Sequence, residues 1–220
     1  MTDLNLFHGN VKAGNLDAVR AALLDDPALL NAKNEAGQSA VLLSKYYGQA
    51  RVTEHLLSLN PNLDIFTAAA VGLEELVLQE LDQDPVLITA HSPDGWTALH
   101  LTAFFGHKPL AMALIARGAD VNARSTNAMK NTPLHAAAAG RKADLVELLL
   151  HEGADANATQ EGGWTALHAA AQNGDRGIVA LLIANGADSK MRADNHQCAL
   201  DLALMKEHQE IVDLLVELSG

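Results

Sequence analysis

Apolar residues recur along the chain in pairs of short stripes separated by polar turns. Residues 132–157 show the unit most clearly. Leu134, Ala137 and Ala138 fall at i, i+3 and i+4 and make one apolar face of a short helix. Thr132 is a good N-cap. Pro133 stands at the first helical position, where a missing N–H costs nothing. The small alanines let a second helix approach closely. That helix, about Asp144–His151, carries Leu145, Val146, Leu148 and Leu149, and Gly153 ends it as a left-handed cap would. Leu134 and Leu148 are both expected to be fully buried. The stretch that follows reaches toward the next unit as a β-turn finger. One helix pair cannot bury this much apolar surface alone, so units must stack and share stability with their neighbours.

The unit repeats. Thr97-Ala98-Leu99-His100, Thr132-Pro133-Leu134-His135, Thr165-Ala166-Leu167-His168 and Cys198-Ala199-Leu200-Asp201 are copies of one motif. Between them stand Gly118-Ala119-Asp120-Val121-Asn122-Ala123 and Gly153-Ala154-Asp155-Ala156-Asn157-Ala158. These motifs, in this order and at a period of about 33 residues, resemble ankyrin repeats. Weaker copies start near Asn5, Ser39 and Leu63, which makes seven repeats starting near 5, 39, 63, 97, 132, 165 and 198. The resemblance implies an all-α solenoid of helix-turn-helix units with short β-turn fingers, a single domain over 1–220.

The early repeats depart from the pattern. Asp26-Pro27-Ala28-Leu29-Leu30 and Asp84-Pro85-Val86-Leu87-Ile88 replace Gly-Ala-Asp, so proline stops the helix by another route. Only Ser58-Leu59-Asn60-Pro61-Asn62 joins the helices of repeats two and three, too little for a finger. The missing finger is expected to leave a notch in the array. The finger before Thr132 is instead two residues longer and basic, Arg124–Asn131.

Composition narrows the function. Hydrophobic residues make up 49% but aromatics only 4%, and Ala and Leu dominate, which suits close-packed helices better than sheets. The 15 Lys and Arg against 27 Asp and Glu leave a net charge of −12, spread along the chain. Such a surface repels phosphates, so nucleic acid and anionic membranes are poor partners and a protein with a basic rim is a better one. One cysteine, Cys198, excludes an internal disulfide and fits a reducing, cytoplasmic setting; its thiol is expected to be half-buried and inert. Met1-Thr2-Asp3-Leu4 does not begin a signal peptide, and no apolar run nears the ~20 residues of a membrane span.

No motif for catalysis stands out. His-Glu-x-x-His, a Gly-x-Ser-x-Gly elbow and a phosphate-cradling glycine loop are all missing from the sequence. His100, His135 and His168 lack partners at metal-ligand spacing. The resemblance implies that they tie the fingers together. His8, His55, His91, His107, His151, His196 and His208 are expected on the surface or in loops. No cofactor and no metal are expected.

The eight aromatics are more telling. Counted from the Thr-equivalent as zero, Trp96 and Trp164 fall at −1, Tyr46 and Tyr47 at +7 and +8, and Phe104 and Phe105 at +7 and +8. In ankyrin proteins these positions line the concave face and commonly touch partners. Six of eight rings therefore share slots where an even spread would put fewer than one. Clustered rings are the usual material of binding hot spots. The expectation is an apolar groove across repeats two to four, floored by Ala70 and Val71 and walled by Tyr46, Tyr47, Trp96, Phe104 and Phe105, with Trp164 further along. The function implied is non-catalytic protein–protein interaction: an adaptor, scaffold, inhibitor or regulator. A sensor of a small molecule or metabolite, using the notch near repeats two to four, is the alternative.

Overall fold

The structure, a computed structural model, describes residues 3–217. Residues 1, 2 and 218–220, at the two ends of the expected single domain, lie outside them. Fourteen α-helices form seven consecutive pairs among the described residues: α1 Leu4–Ala13 with α2 Leu16–Asp25, α3 Ala40–Tyr46 with α4 Ala50–Ser58, α5 Ile65–Val71 with α6 Glu74–Gln83, α7 Ala98–Phe105 with α8 Lys108–Ala116, α9 Pro133–Ala139 with α10 Ala143–His151, α11 Ala166–Asn173 with α12 Arg176–Ala184, and α13 Ala199–Met205 with α14 Gln209–Glu217. The odd-numbered inner helices stack in series, and the even-numbered outer helices form a second layer behind them.

Capping residues set the register. Ser39, Thr97, Thr132, Thr165 and Cys198 precede their inner helices as expected. In the first and third repeats the cap is Asp3 and Asp64 rather than Asn5 and Leu63. The Asp64 side chain accepts from the Thr67 amide at 2.8 Å, a bond that Leu63 has no group to make. Repeat three therefore begins one residue later than its apolar pattern suggests.

The inner helices of the repeats that carry the full motif each bury a leucine near the start, while α1 buries Phe7 and Val11 and α5 buries Ile65. Leu99, Leu134 and Leu167 are essentially without solvent contact, and each such side chain stabilises the stack by roughly 2–3 kcal/mol. Leu145 and Leu149 bury the inward side of α10. Leu148 corrects the expectation for its helix. It is half-buried beside Met112 and Ile115 on the outer layer, because the turn between α9 and α10 points Leu145 and Leu149 inward instead. The core falls into two clusters. One, from Phe7 to Leu56, belongs to the first two repeats; the other runs from Leu42 to Leu215. They divide within the second repeat, beside the missing finger.

Fingers close on themselves by backbone bonds: the Ser92, Ser125, Gln160 and Ala193 amides donate to the carbonyls of Trp96, Asn131, Trp164 and Gln197 at 2.8–3.0 Å. They also join in series, Thr126 to Gly95, Glu161 to Met129 and Asp194 to Gly162, at 2.8–2.9 Å. The long basic finger is part of this chain, since Arg124 Nη1 donates to the Thr159 carbonyl and Lys130 pairs with Glu161 at 2.9 Å.

Candidate functional site

The three motif histidines bridge neighbouring repeats. His100, His135 and His168 each present Nε2 to a carbonyl of the next finger, Asn131, Trp164 and Gln197, at 3.0–3.1 Å. A carbonyl only accepts, so Nε2 carries the hydrogen. Nδ1 then accepts from the backbone N–H of Thr97, Thr132 and Thr165 at 3.1–3.4 Å. Both ring nitrogens are committed with the ring neutral. Burial pushes His100 and His135 down to about 4 and lowers His168 as well. In the last repeat Asp201 takes this place and accepts from the Cys198 amide at 2.9 Å. Cys198 is buried more fully than expected. Among the described residues no group of three or more His, Cys, Asp or Glu is placed to hold a metal.

Three of the histidines expected at the surface are built in. His8 is buried against Phe7, with ring centroids 5.5 Å apart, and desolvation lowers its pKa. His107 and His208 stand at the start of the outer helices and donate to the carbonyls of Ala70 and Gln172 of the preceding repeat at 3.0 and 3.1 Å. Gln49 does the same to Lys12 at 2.8 Å. This second set of ties has no common residue type, so no motif marks it.

Four of the aromatic residues pack on one another. Trp96 meets Phe104 edge-on at 5.5 Å, Phe104 meets Phe105 at 5.1 Å, Phe105 meets Tyr46 at 5.7 Å and Tyr46 meets Trp96 at 6.5 Å. Such pairs contribute about 0.5–1.5 kcal/mol beyond area burial. Trp96 and Trp164 also lie against the ring of their own repeat's histidine, at 5.9 and 5.5 Å. Tyr46 Oη donates to Asp94 Oδ2 at 2.6 Å, while Ser92 and Gln38 donate to the same carboxylate. Burial, reinforced by Asp94, pushes the Tyr46 phenol well up, so it remains a donor. Tyr47, outside the circuit, is 53% exposed.

The notch is closed. With one finger missing, the fingers of repeats two and four meet: a Cβ on Gly37 would lie 2.9 Å from the Pro93 ring, and Gln38 reaches Asp94. Ala70 is fully buried within the second core cluster, and Val71, at +7 when counted from Asp64, is half-buried against the first; neither lines the clefts beside the rings. They do not floor a groove. Two clefts flank the ring circuit instead. One, of about 340 Å³, lies among Lys12, Leu43, Tyr46, Tyr47, Asp94 and Trp96. The other, of about 310 Å³, has Trp96 and Phe104 on one side and Met129, Gln160, Trp164 and Gln172 on the other. Met129, at the tip of the long finger and 49% exposed, escaped the sequence pattern; the extra finger length was its only signal.

The family described as ankyrin repeats (3 copies) matches residues 65–160 and 136–220. The chain belongs to the ankyrin-repeat family, which makes it a protein–protein interaction module. It is 30% identical over 128 residues to ankyrin repeat and SAM domain-containing protein 6 of Mus musculus, covering 55% of this chain and 14% of that protein. It is 40% identical over 73 residues to the serine/threonine-protein kinase VIK of Arabidopsis thaliana, 33% of this chain and 16% of that one. To the NF-kappa-B inhibitor cactus of Drosophila melanogaster it is 38% identical over 68 residues, 31% of this chain and 13% of the relative. Each match thus spans only a small part of the relative's own length. Among the described residues no helix is long and apolar enough to cross a membrane.

Proposed function

We propose that the chain is a non-catalytic, cytoplasmic interaction module, acting as an adaptor, scaffold, inhibitor or regulator, and that it holds a protein partner on the inner face of repeats two to six. The observation that carries this reading is the ring circuit with an open cleft on either side. Tyr46, Trp96, Phe104 and Phe105 supply a rigid apolar ridge, while Tyr47, Met129 and Trp164 leave apolar surface exposed beside it. Rigid rings bordering a cleft lose little entropy when a partner covers them. The inhibitor named among the relatives supports a regulatory use. Metabolite sensing loses the notch it required. The test isolates a partner from cell lysate and measures its affinity for single variants. Tyr47→Ala and Trp164→Ala should each weaken binding more than about tenfold, the range of hot-spot residues, with little change in thermal stability. Unchanged affinity in both variants refutes the assignment to this face.

A further inference from the structure

The inner face departs from the acidic character of the chain. Among the described residues six of the fifteen cations lie within 4.0 Å of a carboxylate in ion pairs. Lys12, Lys45 and Lys142 do not, although the chain carries 27 carboxylates. Lys45 Nζ lies 4.8 Å above the Phe105 ring and Lys12 Nζ lies 5.6 Å above the Tyr47 ring. Lys142 packs its aliphatic stem over Gly106, the residue next to Phe105. Lys45 and Lys142 thus stand at the edge of the ring circuit where the inner helices end, with Lys12 beyond them at Tyr47, across from Asp94 on the fingers.

Helix C-termini attract cations, and Lys45 lies in the last turn of α3. That field does not explain the arrangement, because the Lys45 ammonium sits on a ring and, among the described residues, makes no hydrogen bond to a carbonyl. Lys45 and Lys142 also repel each other, and burial together with that repulsion lowers the Lys45 pKa. A half-buried ammonium facing a second one, in a chain rich in carboxylates, is a site short of an anion. A carboxylate from outside would relieve the repulsion and form short, charge-assisted bonds.

Resting on the interaction reading above, we propose that the inner face of repeats one to five binds an acidic protein segment, whose Asp or Glu side chains meet Lys45, Lys142 and Lys12 and whose neighbouring apolar side chain enters a cleft beside the ring circuit. The partner is acidic at this contact, whatever basic surface the net charge of −12 attracts elsewhere.

The test selects binders from a random dodecapeptide display library on the full chain. Selected peptides are then titrated by fluorescence anisotropy. Sequences enriched in Asp and Glu beside an apolar residue are expected. Lys45→Glu and Lys142→Glu should each weaken them more than tenfold, and Lys-for-Glu exchange in the peptide should restore binding to the double variant. Lys45→Gln, with its thermal midpoint followed, should give a smaller loss in the same direction if the glutamate variant unfolds. Neutral or basic winners, or winners indifferent to both lysines, overturn the proposal. If such winners are still lost on Tyr47→Ala or Trp164→Ala, the inner-face reading stands while this one falls. If no peptide is selected, both fall. Tight binding of a 20-nucleotide single-stranded RNA that competes with the acidic peptides also overturns it.

Discussion

Acidification should loosen the array well before its carboxylates titrate. His100 and His135 are buried, and each holds its ring neutral between a threonine amide and the next finger's carbonyl. Their pKa falls from the ordinary 6.5 to about 4 on folding. Between those values the unfolded chain binds the proton and the folded chain does not, so stability falls as pH falls. It is fully present above about 6.5 and has been lost by about 4. Two-state linkage gives about 2 kcal/mol lost per histidine at pH 5, hence about 4 kcal/mol for the pair. That is a large share of the 5–15 kcal/mol that holds a typical domain together. Asp64 resists burial through its bonds to Lys33 and Thr67, and Asp201 accepts from the Cys198 amide; both are held below the usual 3.8, so their contributions go only at still lower pH. Urea titrations followed by far-UV circular dichroism at pH 7.5, 6 and 5 read the effect. His135→Gln should remove about one proton from the slope between pH 6 and 4.5, whatever it does to stability at pH 7.5. Wild-type stability constant within about 0.5 kcal/mol from pH 7.5 to 5 would refute the tautomer assignment and the depressed values together.

Leu134→Ala should cost roughly 2–5 kcal/mol in a denaturant titration, whereas Leu148→Ala, on the half-exposed outer side, should cost below about 2 kcal/mol; equal costs contradict the layer assignment. Gly72 has φ +83° and a Cβ there would lie 2.4 Å from His107 Nδ1, while Gly153 has φ +88° with open space around it. Both pay left-handed strain on change to alanine, of order 1–3 kcal/mol, but Gly72→Ala should lower the melting temperature further because it also dislodges the tie to Ala70. His100, His135 and His168 have no lone pair to spare, so metal analysis of protein purified without added metal should find no stoichiometric zinc, and chelator should leave the melting temperature unchanged.

What was legible in the sequence follows from what burial imposes. A leucine that must lie in the stack at Leu99, Leu134 and Leu167 recurs at a fixed spacing, and the capping threonine and tying histidine recur with it because each bond is remade in every repeat. The Trp96 and Trp164 positions were legible for the same reason. Register in repeats one and three was not, because Asp3 and Asn5 are both capping types, and because apolar Leu63 mimics the start of a stripe that Asp64 caps. The outer ties escaped because Gln49, His107 and His208 satisfy one geometric demand, a donor aimed at the preceding helix's last carbonyls, with different chemistry.

The missing finger shows where counting residues misleads. Ten absent residues suggest an opening, but deletion removes chain without removing the need to satisfy what remains. The finger at Asn34–Gln38 still has an edge to cover, and so does the finger at Ser92–Trp96. They meet through Gly37 and Pro93, and Asp94 becomes the acceptor for both Gln38 and Tyr46. That closure draws the Tyr46 ring onto Trp96 and Phe105, turning rings expected to wall a groove into its central ridge. The same deletion leaves the two core clusters divided within repeat two, so the first two repeats depend on this junction for their attachment to the rest. A partner covering the ring circuit would span that junction, and binding there would stabilise the seam between the two core clusters along with the contact itself.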